Sequence, residues 1–221
     1  MKRVLTMGIL AATLLFGGDR VLYSIDFTKM AGDPQKVLKQ KGFEMLLDTR
    51  KFNMHFEPAK GLVIETDKKQ TALFGVRFKK PLSGAVSATI EWGVERFPSG
   101  ANWSGGNNRL AIGTLIALGT EKFSSGVPFV QKAPYFFGPF IGEKEQPGKR
   151  YLGKLYKRSG RYYCVANKKG VTVTRFDIAG RFQKEFGKPL PPLVALGFQM
   201  NTKDTTGGAK AFVKKITIYG R

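Results

Sequence analysis

Few residues in this chain could do chemistry. Its single histidine is His55 and its single cysteine is Cys164. One histidine cannot build a multi-histidine metal site. One cysteine excludes an internal disulfide and a metal site of thiolates. No serine or cysteine stands in a nucleophile motif, so His55 has no evident group to activate. Cys164 lies in Tyr162-Tyr163-Cys164-Val165, a setting that suits a small buried hydrophobe. Glycoside hydrolysis needs two facing acids, and Glu91 with Glu95, or Glu57 with Glu65, are the candidates. On a strand, Glu91 falls on the face opposite Ile90 and Trp92. A solvated surface acid is the weightier reading of each. The pair Gly105-Gly106 lacks the Lys-Ser/Thr and helix of a phosphate loop. No cofactor, no metal and no catalytic set is expected.

Sugar binding asks for an aromatic platform with polar neighbours, because a sugar's CH face stacks while its hydroxyls take hydrogen bonds. Trp103 lies in the polar loop Asn102-Trp103-Ser104-Gly105-Gly106-Asn107-Asn108. The expected ligand-binding set is Trp103, Asn107, Arg109, Tyr135 and Glu91, with Tyr163 a lesser candidate. The competing reading of Trp103 is that it tucks back onto the domain.

These side chains need a scaffold, and the pattern is β throughout. Val86, Ala88, Ile90 and Trp92 alternate against Ser87, Thr89 and Glu91, as a half-buried strand does. Ala72, Phe74, Val76 and Phe78 alternate likewise. Near the end, Val194, Leu196, Phe198 and Met200 alternate after Pro189, Pro191 and Pro192, and the Asn201–Gly208 loop leads to a closing strand, Phe212–Tyr219. Its pattern breaks at Lys214-Lys215, predicting a bulge or a solvated edge. Arg109–Leu118 is apolar on both faces, as a covered central strand would be. Phe129–Ile141 holds two prolines, which argue against a regular central strand. It is expected as a loop packed over the sandwich edge rather than an exposed aromatic surface. Tyr151–Tyr156, Arg161–Ala166 and Val171–Phe176 read as a meander. Asp33-Pro34 opens a helical turn that Gly42 ends, and Ile178, Phe182 and Phe186 mark a short amphipathic helix ending at Gly187. Roughly ten or more short strands with one helix near the C-terminus predict a mainly β antiparallel sandwich of jelly-roll or lectin-like type.

Met1-Lys2-Arg3 and the apolar run Val4–Gly18 form a basic n-region and an h-region, so residues 1–24 are expected to be a signal peptide. A cut after Gly18 or after Ser24 fits; an uncleaved anchor is the alternative. The run is short for a membrane span, which takes roughly 20 apolar residues. No cysteine follows it, which excludes a lipoprotein. Residues 25–221 then form one β-sandwich domain, periplasmic or secreted, with no membrane span after signal removal.

The net charge is +21, and removing residues 1–24 takes away three basic side chains and one acidic one. The basic character therefore belongs to the domain and predicts anionic partners. The lysines come as scattered pairs such as Lys68-Lys69 and Lys79-Lys80, with no arginine-rich tail or basic helix stripe. That disfavours nucleic acid and leaves anionic polysaccharide or a lipopolysaccharide-like surface. The sequence does not set the oligomeric state.

Three segments resemble an exported bacterial domain family of unknown function, with a W-x-W strand, paired aspartates before an arginine-started strand, an FG-x-x-P turn and a D-x-D-N-T-G-like loop. The segments are Ile90-Glu91-Trp92-Gly93-Val94, Asn107-Asn108-Arg109-Leu110-Ala111, and Phe186-Gly187 through Gly208. The resemblance implies a sandwich of carbohydrate-binding or lectin-like type. Here Asn107-Asn108 replaces the aspartates and Lys203 enters the last loop, removing oxygens that a calcium ion would want. The expected function is an exported noncatalytic module for an anionic glycan or envelope polysaccharide. The alternatives are a lyase or hydrolase on acidic polysaccharide, using Glu91, His55 and Tyr163, and a structural envelope protein docking through Phe129–Ile141. The R-x-E-L, Q-I-H and Y-F-K-A-G strands of jelly-roll lyases are absent.

Overall fold

The structure is a computed structural model that describes residues 20–221. The expected export signal lies outside them up to residue 19. Residues 20–24, grouped with that signal in the sequence reading, form most of a strand. Thirteen strands run β1 (Arg20–Asp26), β2 (Phe43–Leu47), β3 (Asn53–Glu57), β4 (Gly61–Thr66), β5 (Thr71–Leu82), β6 (Ala85–Arg96) and β7 (Leu110–Phe123). They continue as β8 (Ala133–Ile141), β9 (Arg150–Tyr151), β10 (Gly160–Ala166), β11 (Gly170–Asp177), β12 (Leu193–Asn201) and β13 (Ala209–Gly220). Two α-helices join them, α1 (Pro34–Gln40) and α2 (Ile178–Phe186). Among the described residues no helix is long and apolar enough to cross a membrane.

The strands form two sheets that face each other. One has seven strands in the order β2-β5-β12-β7-β8-β10-β9. The other has six, β11-β6-β13-β4-β3, with β1 also on β13. The chain changes sheet repeatedly, as in jelly-roll sandwiches. Pairing is antiparallel except between β8 and β10. The core lies between the sheets: Phe74, Phe198, Ile90 and Trp92 are fully buried, each worth roughly 1.5–3 kcal/mol of burial. The indole of Trp92 donates to Thr174 Oγ1 at 3.1 Å, so its one polar atom is satisfied.

The helices end where the local chemistry says they should. Asp33 accepts from Lys36 N at 2.9 Å, and Pro34 takes the first position of α1. Asp177 caps α2 through Gly180 N at 2.9 Å, and Gly187 closes it at φ 62°. The register of β13 against β6 slips between Val213 and Lys215, a bulge at the Lys-Lys pair.

Two expectations fail. Phe129–Ile141 is not a packed loop: its latter part is β8, an interior strand between β7 and β10. The missing proline donor is accommodated locally, because the β7–β8 register has no pairs between Gly113–Phe140 and Ile116–Phe137, the stretch holding Pro139. The meander is also absent. Only Tyr151 of the first segment is strand, as the end of β9; β10 runs parallel to β8, and β11 crosses to the other sheet beside β6.

Candidate functional site

The outer face of the seven-stranded sheet holds a groove of about 560 Å³, within the range of small-ligand sites. Strand alternation explains it. Several outward residues of β5, β12 and β7 are small, opposite large inward ones. Gly75 pairs with Gly197, and Ala195 lies between Arg77 and Ala117. A Cβ at Gly75 would sit 2.7 Å from the Gly197 Cα, so the floor admits no side chain there. Leu73 and Leu115 supply apolar surface.

The walls carry the polar groups. On one side, β2 contributes Glu44 and Leu46, and Arg77 Nε lies 3.7 Å from Glu44 Oε2. On the other stand Lys122, Lys132 and Tyr156. Tyr156 is braced: its N–H donates to Ser125 O at 2.9 Å and its hydroxyl donates to Gln131 O at 2.6 Å. Burial pushes its phenol pKa upward. The groove thus offers an apolar floor, basic groups and one carboxylate, Glu44.

The predicted ligand residues scatter. Trp103 is 6% exposed and does not present an open ring. It stacks on Phe140 at 4.6 Å and leans on Tyr162 at 4.7 Å, over the part of the outer face next to the groove. Its indole donates to Arg109 O at 3.0 Å, and its backbone N–H donates to Glu145 Oε1 at 2.9 Å. Glu145 is buried and also accepts from Glu143 N and Lys144 N. Sequence reasoning missed this loop anchor, whose flanks look like an ordinary polar turn.

Asn107 and Arg109 tie the tryptophan loop to the Asn201–Gly208 loop. Asn107 Nδ2 donates to Gly100 O at 2.8 Å and Asp204 O at 3.1 Å. Arg109 Nε donates to Lys203 O at 2.6 Å, and its Nη2 pairs with the Asp204 carboxylate. That contact holds Asp204 below the usual carboxylate range. Tyr135 is an interior residue packed against Phe123, Phe182 and Phe186, and its hydroxyl accepts from Lys188 Nζ at 2.9 Å.

Glu91 lies on the other sheet, paired in register with Val173 and Lys215. His55 is on the far strand of that sheet, with Nε2 at 2.9 Å from Glu57 Oε1. Tyr163 donates to Glu185 Oε1 at 2.6 Å, under α2. Glu91, His55 and Tyr163 do not meet. Lys60 bridges Glu57 at 3.1 Å and Glu95 at 2.6 Å. The hydrogen bond from His55, then that from Lys60, lowers the Glu57 pKa, and that from Lys60 lowers Glu95. A general acid needs the opposite shift. Among the described residues no three His, Cys, Asp or Glu side chains cluster as metal ligands would.

No known family model matches this chain, and no curated protein matches it. Solved structures share its outline weakly. The Emp46p carbohydrate recognition domain in its potassium-bound form is 13% identical over 89% of this chain and 96% of its own, at a TM-score of 0.46. A non-crystalline-cellulose-specific carbohydrate-binding module is 10% identical over 91% and 97%, at 0.41. The family 11 xylanase from Neocallimastix patriciarum is 14% identical over 90% and 99%, at 0.40. A binding domain and an enzyme match about equally, so likenesses of this strength carry no argument about ligand or chemistry.

Proposed function

We propose that this protein is an exported, noncatalytic glycan-binding module whose ligand lies in the groove over β5, β12 and β7, and that the glycan is anionic. The observation that carries the reading is the groove itself, about 560 Å³ with a Gly75–Gly197 floor. A flat sugar ring fits against such small residues while basic side chains take its acidic groups. Arg77, Lys122 and Lys132 line the groove against the single carboxylate Glu44, and the chain carries +21 overall. One carboxylate does not make the pair that glycoside hydrolysis uses.

The test is retention on neutral and acidic polysaccharides at low and high salt, with products followed in the same samples. Wild type is expected to bind an acidic polymer, to lose it as salt rises, and to release no product. Ala195→Phe, which places a ring in the groove at a strand position that tolerates aromatics, should abolish retention without unfolding the domain. Retention by that variant equal to wild type removes the groove from the account. New reducing ends or unsaturated products remove the noncatalytic claim.

A further inference from the structure

The loop after β7, residues 124–132, ends in an apolar tip. Phe129 is fully exposed and holds φ 63°, while Val127 is 46% and Val130 38% exposed. A phenylalanine in the left-handed region, with its ring in water, is costly twice over. The loop is nonetheless braced at its base: Val127 N donates to Ser125 Oγ at 3.0 Å, Ser125 Oγ donates to Val127 O at 2.9 Å, and Tyr156 closes both ends. The tip is displayed by a built turn.

Its position follows from the register. The Ser83-Gly84 turn joins β5 to β6. Leu82 pairs with Leu193, which pairs with Leu118 of β7; Ala85 pairs with Gly220, which pairs with Arg20. The 124–132 loop and Arg20 therefore lie at the same end of the sandwich. Exposed Arg20, Lys79, Lys80, Lys122, Lys132 and Arg158 lie toward that end. No acidic residue occurs from Lys122 through Ile141 or from Gln146 through Phe176. Of the described acids near this end, Glu121 lies 3.9 Å from Lys188 Nζ and Asp177 caps α2.

We propose that this end of the sandwich docks on an anionic phospholipid surface, with Phe129 entering the headgroup region and the basic collar resting on it. An apolar tip among basic side chains has the composition of interfacial membrane contacts. The surface shares Lys122 and Lys132 with the groove wall, but Phe129, Lys79 and Lys80 lie outside the groove, so each proposal can fail alone.

The test uses the domain from Arg20 to Arg221 carrying Phe129→Trp, so that the Val4–Gly18 run cannot supply the lipid contact. Trp92 and Trp103 are 0% and 6% exposed, so the introduced indole is the exposed emitter. In vesicles of phosphatidylcholine with phosphatidylglycerol, bromine-labelled acyl chains are expected to quench the introduced indole while aqueous acrylamide loses access to it. Lys79→Gln and Lys80→Gln, outside the groove, should each lower the docked-to-undocked ratio about fivefold. An introduced indole as open to acrylamide with vesicles as without them overturns the proposal. So does equal quenching in pure phosphatidylcholine with no effect of the lysine changes. Shielding of that indole by a soluble acidic polysaccharide but not by vesicles overturns it in favour of a glycan contact.

Discussion

Replacing Trp103 with alanine separates a loop anchor from a sugar platform. The side chain is 6% exposed, stacked on Phe140 at 4.6 Å, with its indole N–H on Arg109 O at 3.0 Å. A buried tryptophan removes about 150–250 Å² from water, which at about 25 cal/mol per Å² is about 4–6 kcal/mol as an upper bound. The satellite cluster of Trp103, Leu110, Phe140, Tyr151 and Cys164 lies on the outer face and can partly relax, which lowers the figure. The orphaned Arg109 carbonyl raises it again, unless water reaches it. The expected loss is about 3–5 kcal/mol, a large part of a typical domain's stability. Urea unfolding followed by far-ultraviolet circular dichroism should show the midpoint fall by about 1–2 M for an m-value of about 2–3 kcal/mol/M. Trp103→Phe, which keeps a stacked ring but loses the indole donor, should recover more than half of the loss. A Trp103→Ala protein within about 1 kcal/mol of wild type that no longer binds glycan would refute the reasoning, since the ring would then be serving ligand and not the fold.

Three further outcomes follow from named contacts. Glu185 is 7% exposed at its side chain and takes hydrogen bonds from Arg150 and Arg161, both at 2.9 Å, and from Tyr163 at 2.6 Å. Burial pushes its pKa up, but these donors more than offset it, so the carboxyl sits below the usual range. The unfolded glutamate takes a proton near about 4.3, the folded one only at lower pH. The wild type should therefore lose this contribution as pH falls from about 4.3 through the folded value, while Glu185→Gln, less stable by about 3 kcal/mol at neutral pH, shows a shallower acid limb in thermal melts. Cys164 is buried and its thiol is pushed up to about 11, so a thiol reagent at neutral pH should label it only on unfolding; rapid labelling of the native protein contradicts the placement. Leu22 and Tyr23 of β1 pack on the core, and Tyr23 meets Phe78 edge-on at 5.0 Å. A chain beginning at Ile25 should therefore melt lower than one beginning at Arg20, and, on the proposed export, mass spectrometry of the mature protein should show a start no later than Arg20; a mature start at Ile25 would contradict this.

Much of the architecture was legible because it is written in local periodicity. The alternation in β5, β6 and β12, the cap at Asp33, the stop at Gly187 and the slip at Lys214-Lys215 are each decided within a few residues. Partner choice is not. Val171–Phe176 reads as the strand after Arg161–Ala166, and nothing local says that it pairs with β6 in the other sheet. Pro139 argues against an interior strand, yet a local gap in one ladder and a parallel neighbour accommodate it. The groove was less legible still. Gly75, Ala117, Ala195 and Gly197 are ordinary in their own segments and form a floor only when three strands set them side by side. Trp103 drew attention by its type and loop; its chemistry is satisfied internally by Phe140, Tyr162 and the Arg109 carbonyl.

The most direct test of the glycan-binding claim is amide chemical-shift mapping of the isotope-labelled protein during titration with an acidic oligosaccharide at low salt. The account predicts that the amides that move, and reverse when salt is added, cluster at Gly75, Arg77, Leu115, Ala117, Ala195 and Gly197, with Lys132 at the wall. Shifts gathered instead around Glu91 and His55 on the opposite sheet, or confined to the Asn102–Arg109 loop, would contradict it.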